Sequence, residues 1–433
     1  MMLIQGLNQS DRRVPTASSG VCAHSVTTCQ ERRIVPEHVR EQQFATSQIV
    51  VAASSGVSDP QFVNEDAVVR ISKELNEPKW LLRERLKAFW VFSVLSKSPL
   101  GGLRLPKVFH LQQPPEGNFE RITERITTSD CTNARSDSLY SFLNASQQSE
   151  SAKSIFMNRF FKPDHSLDAA FINAFFTEVN FFSIDGKNSK ANGRITRKIK
   201  LKKNSGVSID FLILPDGAEL ELDIGFGSKS ESGGFHILEA YVGEGASLSM
   251  SSIHKSGGEV FLGASFVEKN ARCKKNLAMF SSANIDNRAI LVGNGCEYSE
   301  SGVFTLADSD KLNFNSVASH LVGGTTSDIS VRGVLNDSAS AIVDGMAKIF
   351  PNASKSTSRV SERVLLLDSD AHAVANPRLE ILNNDVIASH SASIGEIDEE
   401  QIFYLMSRGI SRKDVESTLV EGFLGSNVQL SRL

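Results

Sequence analysis

One histidine near the C-terminal end of the chain has the setting of a metal ligand. His390 lies in the segment Ser389-His390-Ser391-Ala392, where the flanking side chains are small. Small neighbours leave an imidazole accessible to a ligand or to a facing subunit, and a neutral imidazole is a good ligand for transition metals such as iron. The alternative is a histidine whose hydrogen bonds are satisfied at a domain junction.

The cysteines show no regular disulfide or metal-binding pattern. They number 5, at positions 22, 29, 131, 273 and 296, and no CxxC motif is present. An odd count without regular spacing argues against a disulfide framework. Cys273 and Cys296 are separated by about one turn of a strand stack, so they could lie one above the other as small buried apolar residues. His236 and His254 flank the turn at Gly243, and we expect them to be core or turn-edge residues.

Two helices must follow His390. The strand pattern stops at Ser389-His390, and two N-cap pairs then start helices, namely Asp398 with Gln401 and Ser411 with Asp414. Gly409 ends the first helix. The resulting hairpin has apolar residues on both helices, and it is interpreted either as a partner-docking surface or as a cap over the open end of a strand stack. Its apolar residues are Ile402, Phe403, Leu405, Met406, Val415, Leu419, Val420 and Phe423.

Between residues 206 and 388 short apolar strands alternate with tight turns. The turns are built on Gly, Asn or Asp followed by a small residue, as in Gly243-Glu244-Gly245-Ala246. Such turns recur irregularly but at short intervals, which favours a coiled stack of strands whose apolar faces are buried by neighbouring turns of the coil. A β-sandwich gives a similar pattern, and periodicity does not exclude it. The small residues are Ala218, Ala246, Ala271, Cys296, Ala339, Ala353 and Ala371.

The rest of the chain divides into three further parts. Residues 1–58 lack an apolar period and are predicted to be a flexible tail; a plastid transit peptide is the alternative, although Glu31, Glu37 and Glu41 are unusual in one. Residues 59–205 form a helical and mixed region, with helices predicted on both sides of Pro78 and over 168–176. The helices around Pro78 either pack on their own domain or bind a partner subunit. Residues 389–433 are the C-terminal helical region.

Composition excludes several classes of protein. Net charge is −4, with 40% hydrophobic and 22% charged residues, so neither nucleic acid nor an anionic membrane is favoured as a partner. No apolar run approaches the roughly 18–20 residues that span a bilayer, and no secretory apolar region is seen near Met1. The sequence also lacks a phosphate-binding G-x-x-x-x-G-K-S/T loop, so no nucleotide is expected on this chain. The predicted compartment is cytoplasmic, with the plastid stroma as the alternative.

Two stretches are similar to the signatures of a known family. Ser389–Ile410 resembles the C-terminal signature, and Ile71–Phe89 the N-terminal one, of the SufB/SufD family, the non-ATPase scaffold subunits of the SUF iron–sulfur cluster assembly machinery. The resemblance implies a mainly β protein with a right-handed parallel β-helix core, flanked by N-terminal and C-terminal helical regions. It also implies a non-catalytic scaffold, with ATP hydrolysed by a SufC-like partner.

Within this family the chain resembles the SufD branch. SufB members have a cysteine late in the β-helix and a glutamate beside the C-terminal histidine, whereas here the last cysteine is Cys296 and Ser391 follows His390. The resemblance implies that His390 helps to hold a transient iron–sulfur cluster at the interface with a SufB-like subunit. It further implies that the C-terminal hairpin docks the SufC-like ATPase through Phe403, Tyr404, Arg408, Gly409, Val415, Leu419 and Phe423.

Three other interpretations stay open. A divergent homodimeric scaffold would place two His390 side chains across a two-fold axis. A β-helix enzyme acting on polysaccharide would need clustered carboxylates and aromatic platforms, for which 2 Trp and 4 Tyr are few. A purely structural, adhesin-like solenoid would be expected to have a longer regular repeat and a secretion route.

Overall fold

The computed structural model describes residues 63–96, 126–129, 134–138, 156–184, 192–197, 206–226, 234–255 and 257–425. The predicted tail and Cys22, Cys29 and Cys131 lie outside these ranges. The helices are α1 (Glu65–Glu74), α2 (Lys79–Leu95), α3 (Leu167–Phe175), α4 (Glu399–Ser407) and α5 (Arg412–Leu424). The strands are β1 (Ile126–Ser129), β2 (Ala134–Ser138), β3 (Glu178–Ile184), β4 (Asn192–Arg197), β5 (Val207–Leu214), β6 (Glu219–Phe226), β7 (Phe235–Val242), β8 (Ser247–His254), β9 (Glu259–Val267), β10 (Arg272–Met279), β11 (Ala283–Leu291), β12 (Glu297–Leu306), β13 (Lys311–His320), β14 (Thr326–Leu335), β15 (Ser340–Ile349), β16 (Thr357–Leu366), β17 (His372–Ala375), β18 (Arg378–Ile381) and β19 (Ile387–Glu396).

The strands form two long sheets between which the chain alternates. One is 9-stranded, in the order β1-β4-β6-β8-β10-β12-β14-β16-β19, and the other is 10-stranded, in the order β17-β15-β13-β11-β9-β7-β5-β3-β2, with β18 beside β15. Neighbouring strands are parallel from β3 and β4 onward. The predicted parallel β-helix is therefore confirmed, and the β-sandwich, which is built of antiparallel sheets, is excluded.

Side chains alternate between the outside and the space between the two sheets, which we call the lumen. In β15 every second residue is buried, namely Ala341, Val343, Gly345, Ala347 and Ile349. One coil cannot cover its own apolar face, so each coil is covered by the coils on either side. Burial of each large apolar side chain contributes about 1.5–3 kcal/mol, which makes this continuous core the main source of stability.

The corner that leads into the 9-stranded sheet is a regular stack of small residues. Ala246, Ala271 and Cys296 occupy equivalent positions in successive coils. The N–H of Arg272 donates to the carbonyl of Ala246, and the N–H of Glu297 donates to the carbonyl of Ala271, so each bond connects one coil to the preceding one. Thr325 and Ser356 continue the same corner, with their hydroxyl oxygens 2.8 Å apart. In these two coils a hydroxyl residue occupies the position that alanine or cysteine has in the earlier coils. The regular spacing of small apolar residues is therefore not visible in this part of the sequence.

The opposite corner leads into the 10-stranded sheet and contains Ala339 and Ala371. The N–H of His372, directly after Ala371, donates to the carbonyl of Ala339. The irregular spacing of small residues in the sequence arises because the series combines residues of two different corners. Each corner by itself is nearly periodic.

Two glycines in one turn show why the corners need this residue. A Cβ atom at Gly293 would lie 1.9 Å from the backbone nitrogen of Lys269 in the preceding coil, so no side chain fits. Gly295 has φ of 72°, in the left-handed region that glycine adopts without steric cost. Glycine is therefore required in the Gly293-Asn294-Gly295 turn both by close packing of coils and by backbone geometry.

The N-terminal helices pack together and against the 10-stranded sheet. Val68, Leu81 and Phe92 are buried in one cluster with the phenylalanines of α3 and of residues 156–161. A buried Arg85 donates to both carboxylate oxygens of Glu77, at 2.8 and 2.5 Å. The abundant phenylalanine of this region is thus used for packing. None of the described helices is long and apolar enough to cross a membrane.

Strand pairing extends beyond the predicted β-helix boundaries at both ends. Glu178 of β3 is already paired with Ser208 of β5. At the other end β19 continues to Glu396, so the strand does not stop at Ser389-His390 as the sequence suggested. The pattern was lost because β19 is almost entirely exposed, and an exposed strand has no need of alternating apolar residues.

Candidate functional site

His390 lies within the last strand of the β-helix. It is opposite Val360 of β16, which faces the lumen, so His390 has the same inward register. Among the described residues no further strand lies beyond β19 in this sheet, and His390 is exposed. Its side chain is at the open end of the lumen rather than at the strand-to-helix junction predicted from the sequence.

A single backbone contact orients the imidazole of His390. Its Nδ1 lies 2.9 Å from the carbonyl oxygen of Pro377, which can only accept a hydrogen bond. Nδ1 must therefore carry the proton, and the neutral ring presents the lone pair of Nε2. An imidazole held by its other nitrogen in this way is the usual form of a histidine metal ligand.

The coil that contains His390 is exposed and partly apolar. We call residues 372–396, which include β17, β18 and β19, the terminal coil. Ile387 is 72% exposed and Ile394 is 43% exposed, although Val364, the register partner of Ile394, is buried. An uncovered strand edge with apolar side chains is a surface that binds another chain or a further strand. The other exposed apolar residues of the terminal coil are Val374, Ile381 and Leu382.

The C-terminal hairpin, α4 with α5, has the predicted caps. Asp398 accepts from the N–H of Glu400 at 2.9 Å and that of Gln401 at 3.4 Å, and Ser411 accepts from the N–H of Asp414 at 3.3 Å. Each cap satisfies N–H groups that have no partner within the helix. Both predicted N-cap pairs are therefore confirmed.

The hairpin is attached to the flank of the β-helix. Arg332 of β14 donates through Nη1 to the carbonyl oxygen of Phe423, in the last turn of α5, at 3.0 Å. A cation at this position also interacts favourably with the negative end of the helix. Because the terminal coil stays exposed, the hairpin does not act as a cap over it.

The predicted docking residues of the hairpin form two groups, one exposed and one buried or half-buried. Phe403 is 75% exposed and Tyr404 is 57% exposed, and the guanidinium of Arg408 lies 5.2 Å from the Tyr404 ring centroid. Gly409 is exposed at the connection, with φ of 88°. Val415 is fully buried, and Leu419 and Phe423 are half-buried, so these three are less available to a partner than Phe403 and Tyr404 are.

The remaining sequence candidates are core residues. Cys273 and Cys296 are buried in the main core, and burial raises the pKa of both thiols, that of Cys296 to about 11. They do not stack directly, since the register partner of Cys273 is Tyr298. His254 contacts Glu259 through Nδ1 and Ser252 through Nε2, both at 3.0 Å. In the part of the chain that the structure describes, no group of three or more His, Cys, Asp or Glu side chains is placed to hold a metal ion.

Sequence reasoning missed a polar cluster inside the lumen. Lys275 and Glu300 are register partners, and Asn287 lies between them, 3.5 Å from each. Glu300 also accepts hydrogen bonds from Tyr298 and from Ser316. Burial lowers the pKa of Lys275 and raises that of Glu300, and the attraction between the two opposes both shifts. The signal for this cluster in the sequence was a pair of opposite charges, Lys275 and Glu300, at positions of neighbouring strands that otherwise carry buried residues.

Comparison with known proteins establishes the family. A sequence model of the family described as "SUF system FeS cluster assembly, SufBD core domain" matches residues 202–423. This range covers most of the β-helix and both helices of the C-terminal hairpin. The chain belongs to the SufBD family, as the resemblance of its two signatures predicted.

Individual relatives place the chain nearer to SufD. It is 37% identical to the iron–sulfur cluster assembly protein SufD of Bacillus subtilis over 139 residues, 32% of each chain. It is 36% identical to SufD of Escherichia coli over 90 residues, 21% of each chain. SufB of Bacillus subtilis is 24% identical over 196 residues, covering 43% of this chain and 42% of SufB. The matched segments are thus about a third or less of the length of the SufD relatives, and the similarity is SufD-like.

Proposed function

We propose that this protein is a SufD-like scaffold subunit of an iron–sulfur cluster assembly complex. It pairs through its terminal coil with a SufB-like subunit and binds a SufC-like ATPase through its C-terminal hairpin. It is non-catalytic itself and acts in the cytoplasm. The observation that carries the proposal is the position of His390 on an exposed, partly apolar coil at the open end of a β-helix.

The terminal coil supports pairing with another β-helix. Its strand edge and its exposed isoleucines would be covered by a facing subunit, as the middle coils cover one another. His390 supplies one nitrogen ligand, and an iron–sulfur cluster is held by several thiolate or imidazole ligands. The remaining ligands therefore come from the facing subunit, and the cluster is cargo that leaves when the two subunits separate.

The C-terminal hairpin supports docking of a second partner. Phe403, Tyr404 and Arg408 form an exposed aromatic and cationic group, the composition that is enriched where protein interfaces bind most strongly. The hairpin is tied to β14 through Arg332. A movement of a bound ATPase would therefore pass to the β-helix as a rigid-body displacement.

Co-expression with the SufB-like and SufC-like proteins of the host tests the docking assignment. We expect a stable complex in size-exclusion chromatography, and loss of the ATPase alone when Phe403, Tyr404 and Arg408 are changed together to alanine. Trp90→Ala is the matched control, because Trp90 is 66% exposed but lies on α2. Loss of the ATPase in the control, or its retention in the triple variant, would contradict the hairpin as docking surface.

A second variant tests the terminal coil. Ile387→Asp places a charge on the exposed edge and is expected to release the SufB-like subunit while leaving the ATPase bound. Failure of the unaltered chain to bind either partner would contradict the scaffold proposal. If the chain alone elutes as a dimer that Ile387→Asp dissociates, the homodimeric scaffold replaces the heterodimeric one.

A further inference from the structure

A group of polar side chains interrupts the apolar lumen in the middle of the β-helix. Lys275 of β10 and Glu300 of β12 are 1% and 2% exposed, and Asn287 of β11 is fully buried. The inward neighbours of Lys275 in its own strand, Cys273 and Leu277, belong to the main core. Burial of charged groups is costly unless hydrogen bonds and an opposite charge compensate for the lost water.

These side chains form one hydrogen-bonded chain across the lumen, which we call the lumen cluster. Asn287 lies between the two charges, because its Oδ1 is 3.5 Å from Nζ of Lys275 and its Nδ2 is 3.5 Å from Oε1 of Glu300. The other carboxylate oxygen of Glu300 accepts from the hydroxyl of Tyr298 and, at 3.0 Å, from that of Ser316. Side chains from the consecutive strands β10 to β13 therefore compensate one another.

The backbone of β9 leaves room for the lumen cluster at Gly263. This glycine is the register partner of Asn287 in the 10-stranded sheet. A Cβ atom there would lie 2.3 Å from Oδ1 of Asn287 and 3.4 Å from Nζ of Lys275. A side chain at this position would displace the amide from its place between the two charges. The lumen cluster is thus fitted to one arrangement of the surrounding strands.

The apolar pattern of the lumen does not define the strand register completely. A slip of one residue between β10 and β12 would turn every inward side chain outward, so the apolar pattern excludes it. A slip of two residues keeps inward positions inward, because side chains alternate with a period of two. Apolar side chains such as Leu277 and Phe304 would stay buried in either register, so their burial distinguishes the two registers weakly.

The lumen cluster distinguishes these registers strongly. In the observed register Lys275 is opposite Glu300. After a two-residue slip Lys275 would be opposite Tyr298 or Gly302 instead. Asn287 could then no longer lie between both charges, and each charge would stay in the lumen without its partner, which is strongly unfavourable.

We propose that the lumen cluster fixes the register of β10 against β12. It selects one strand pairing among those that the apolar pattern permits, and it makes that pairing no more stable than an apolar core of the same shape would. This inference does not depend on the proposed function, since it concerns how the chain folds rather than what the folded protein binds.

The methyl group of Met279 reports the register. Met279 is fully buried in β10, and its register partner is Phe304. A neighbouring aromatic ring displaces a methyl NMR signal, so a slipped strand, in which Met279 is opposite Gly302 or Leu306, gives a second signal. The full chain is labelled with ¹³C at the methionine methyl groups, unfolded in denaturant and refolded. Met279→Leu assigns the signal in each variant.

The test replaces the lumen cluster by apolar side chains of similar shape. The apolar variant combines Lys275→Met, Asn287→Leu, Tyr298→Phe and Glu300→Leu. We expect one Met279 signal in the unaltered protein, and in the apolar variant a second signal of at least about a tenth of the main one, with an equal or higher denaturation midpoint. A single Met279 signal at the native position in the folded apolar variant would overturn the proposal, whatever its midpoint.

Phe314→Leu is the matched control for loss of packing. Phe314 is buried in the same lumen and has no polar side-chain atom. The control should lower the denaturation midpoint and keep one Met279 signal. A second signal in Phe314→Leu would show that any loosening of the core permits a slip, and it would contradict the role of the lumen cluster.

A milder variant decides the question if the apolar variant does not fold. Lys275→Met combined with Glu300→Gln removes both charges, while the amide keeps contacts for the hydroxyls that surround it. A second Met279 signal in this variant supports the lumen cluster as the element that fixes the register. A single native signal overturns it.

Discussion

Histidine side chains have contrasting environments in the middle of the β-helix and in its terminal coil. His254 and His320 are buried in the middle coils, and each contacts side-chain oxygens through both ring nitrogens. His390 faces the lumen in the same manner but is exposed and is contacted at Nδ1 only among the described residues. A histidine becomes a ligand candidate here because no further coil covers it in the part of the chain that the structure describes.

Apolar residues show the same contrast. Val364 and Ile394 are register partners on the inward side of neighbouring strands, yet the first is buried and the second is 43% exposed. The terminal coil thus resembles a middle coil without its neighbour. Its apolar residues are available for binding, whereas those of the middle coils stabilise the fold.

The largest effect is expected from truncation in the middle coils. Phe314 is completely buried in the main core. Phe314→Ala should lower the free energy of unfolding by about 3–5 kcal/mol, because it removes a large apolar side chain and leaves a cavity. Denaturant titration measures this change. Ile387→Ala, at an exposed position of the terminal coil, should change it by less than about 0.5 kcal/mol; equal costs at the two positions would refute the contrast.

The next effect is expected in the pH dependence of stability, through the buried His320 of the middle coils. Burial lowers the pKa of His320 from 6.5 to about 4. Between these values the unfolded chain binds a proton that the folded chain does not, so stability is fully present above pH 6.5 and is lost as pH falls. The loss approaches about 3 kcal/mol near pH 4.

The measurement compares the unaltered protein with His320→Gln by denaturant titration at several pH values. The variant lacks this proton uptake, so the difference in unfolding free energy between the two proteins should narrow as the solution becomes acidic. If the difference in unfolding free energy between the unaltered protein and His320→Gln does not change with pH, the folded protein accommodates the charged imidazole.

A smaller and local effect is expected at the C-terminal hairpin. Arg332→Ala removes the hydrogen bond to the Phe423 carbonyl and should reduce the free energy of local opening of α5 by about 1 kcal/mol. Hydrogen exchange of the α5 amides measures it, with little change in global unfolding. Arg363→Ala is the control, because Arg363 is the exposed register partner of Arg332 in β16. Equal exchange in both variants would show that the hairpin is held by other contacts.

Features encoded over short distances could be predicted from the sequence. The caps at Asp398 and Ser411 depend on residues three positions apart, and both are present. The turn at Gly293 depends on a few adjacent residues in the same way. The strand-and-turn pattern gave the coiled architecture, and the family resemblance was needed to choose it over a sandwich.

Features that depend on contacts between coils were not predictable in this way. Lys275 and Glu300 lie at inward positions of different strands, and only the register between coils shows that they are paired in the lumen. The continuation of β19 past His390 could not be predicted, because its residues are exposed on both faces and therefore show no alternation of apolar and polar side chains. Glu362 likewise has no local signal, since its hydrogen-bond partner is the N–H of Gly345 in the opposite sheet.

The parallel register fixes the distance between the two ends of the β-helix. Successive strands in a sheet are about 4.8 Å apart, so each coil sets the terminal coil one such step further from the N-terminal helices. Insertion or removal of one whole coil would keep every other strand in register, whereas a shorter change would turn inward residues outward. The separation between the helices packed at the first coils and the surface that carries His390 can therefore change only in discrete steps.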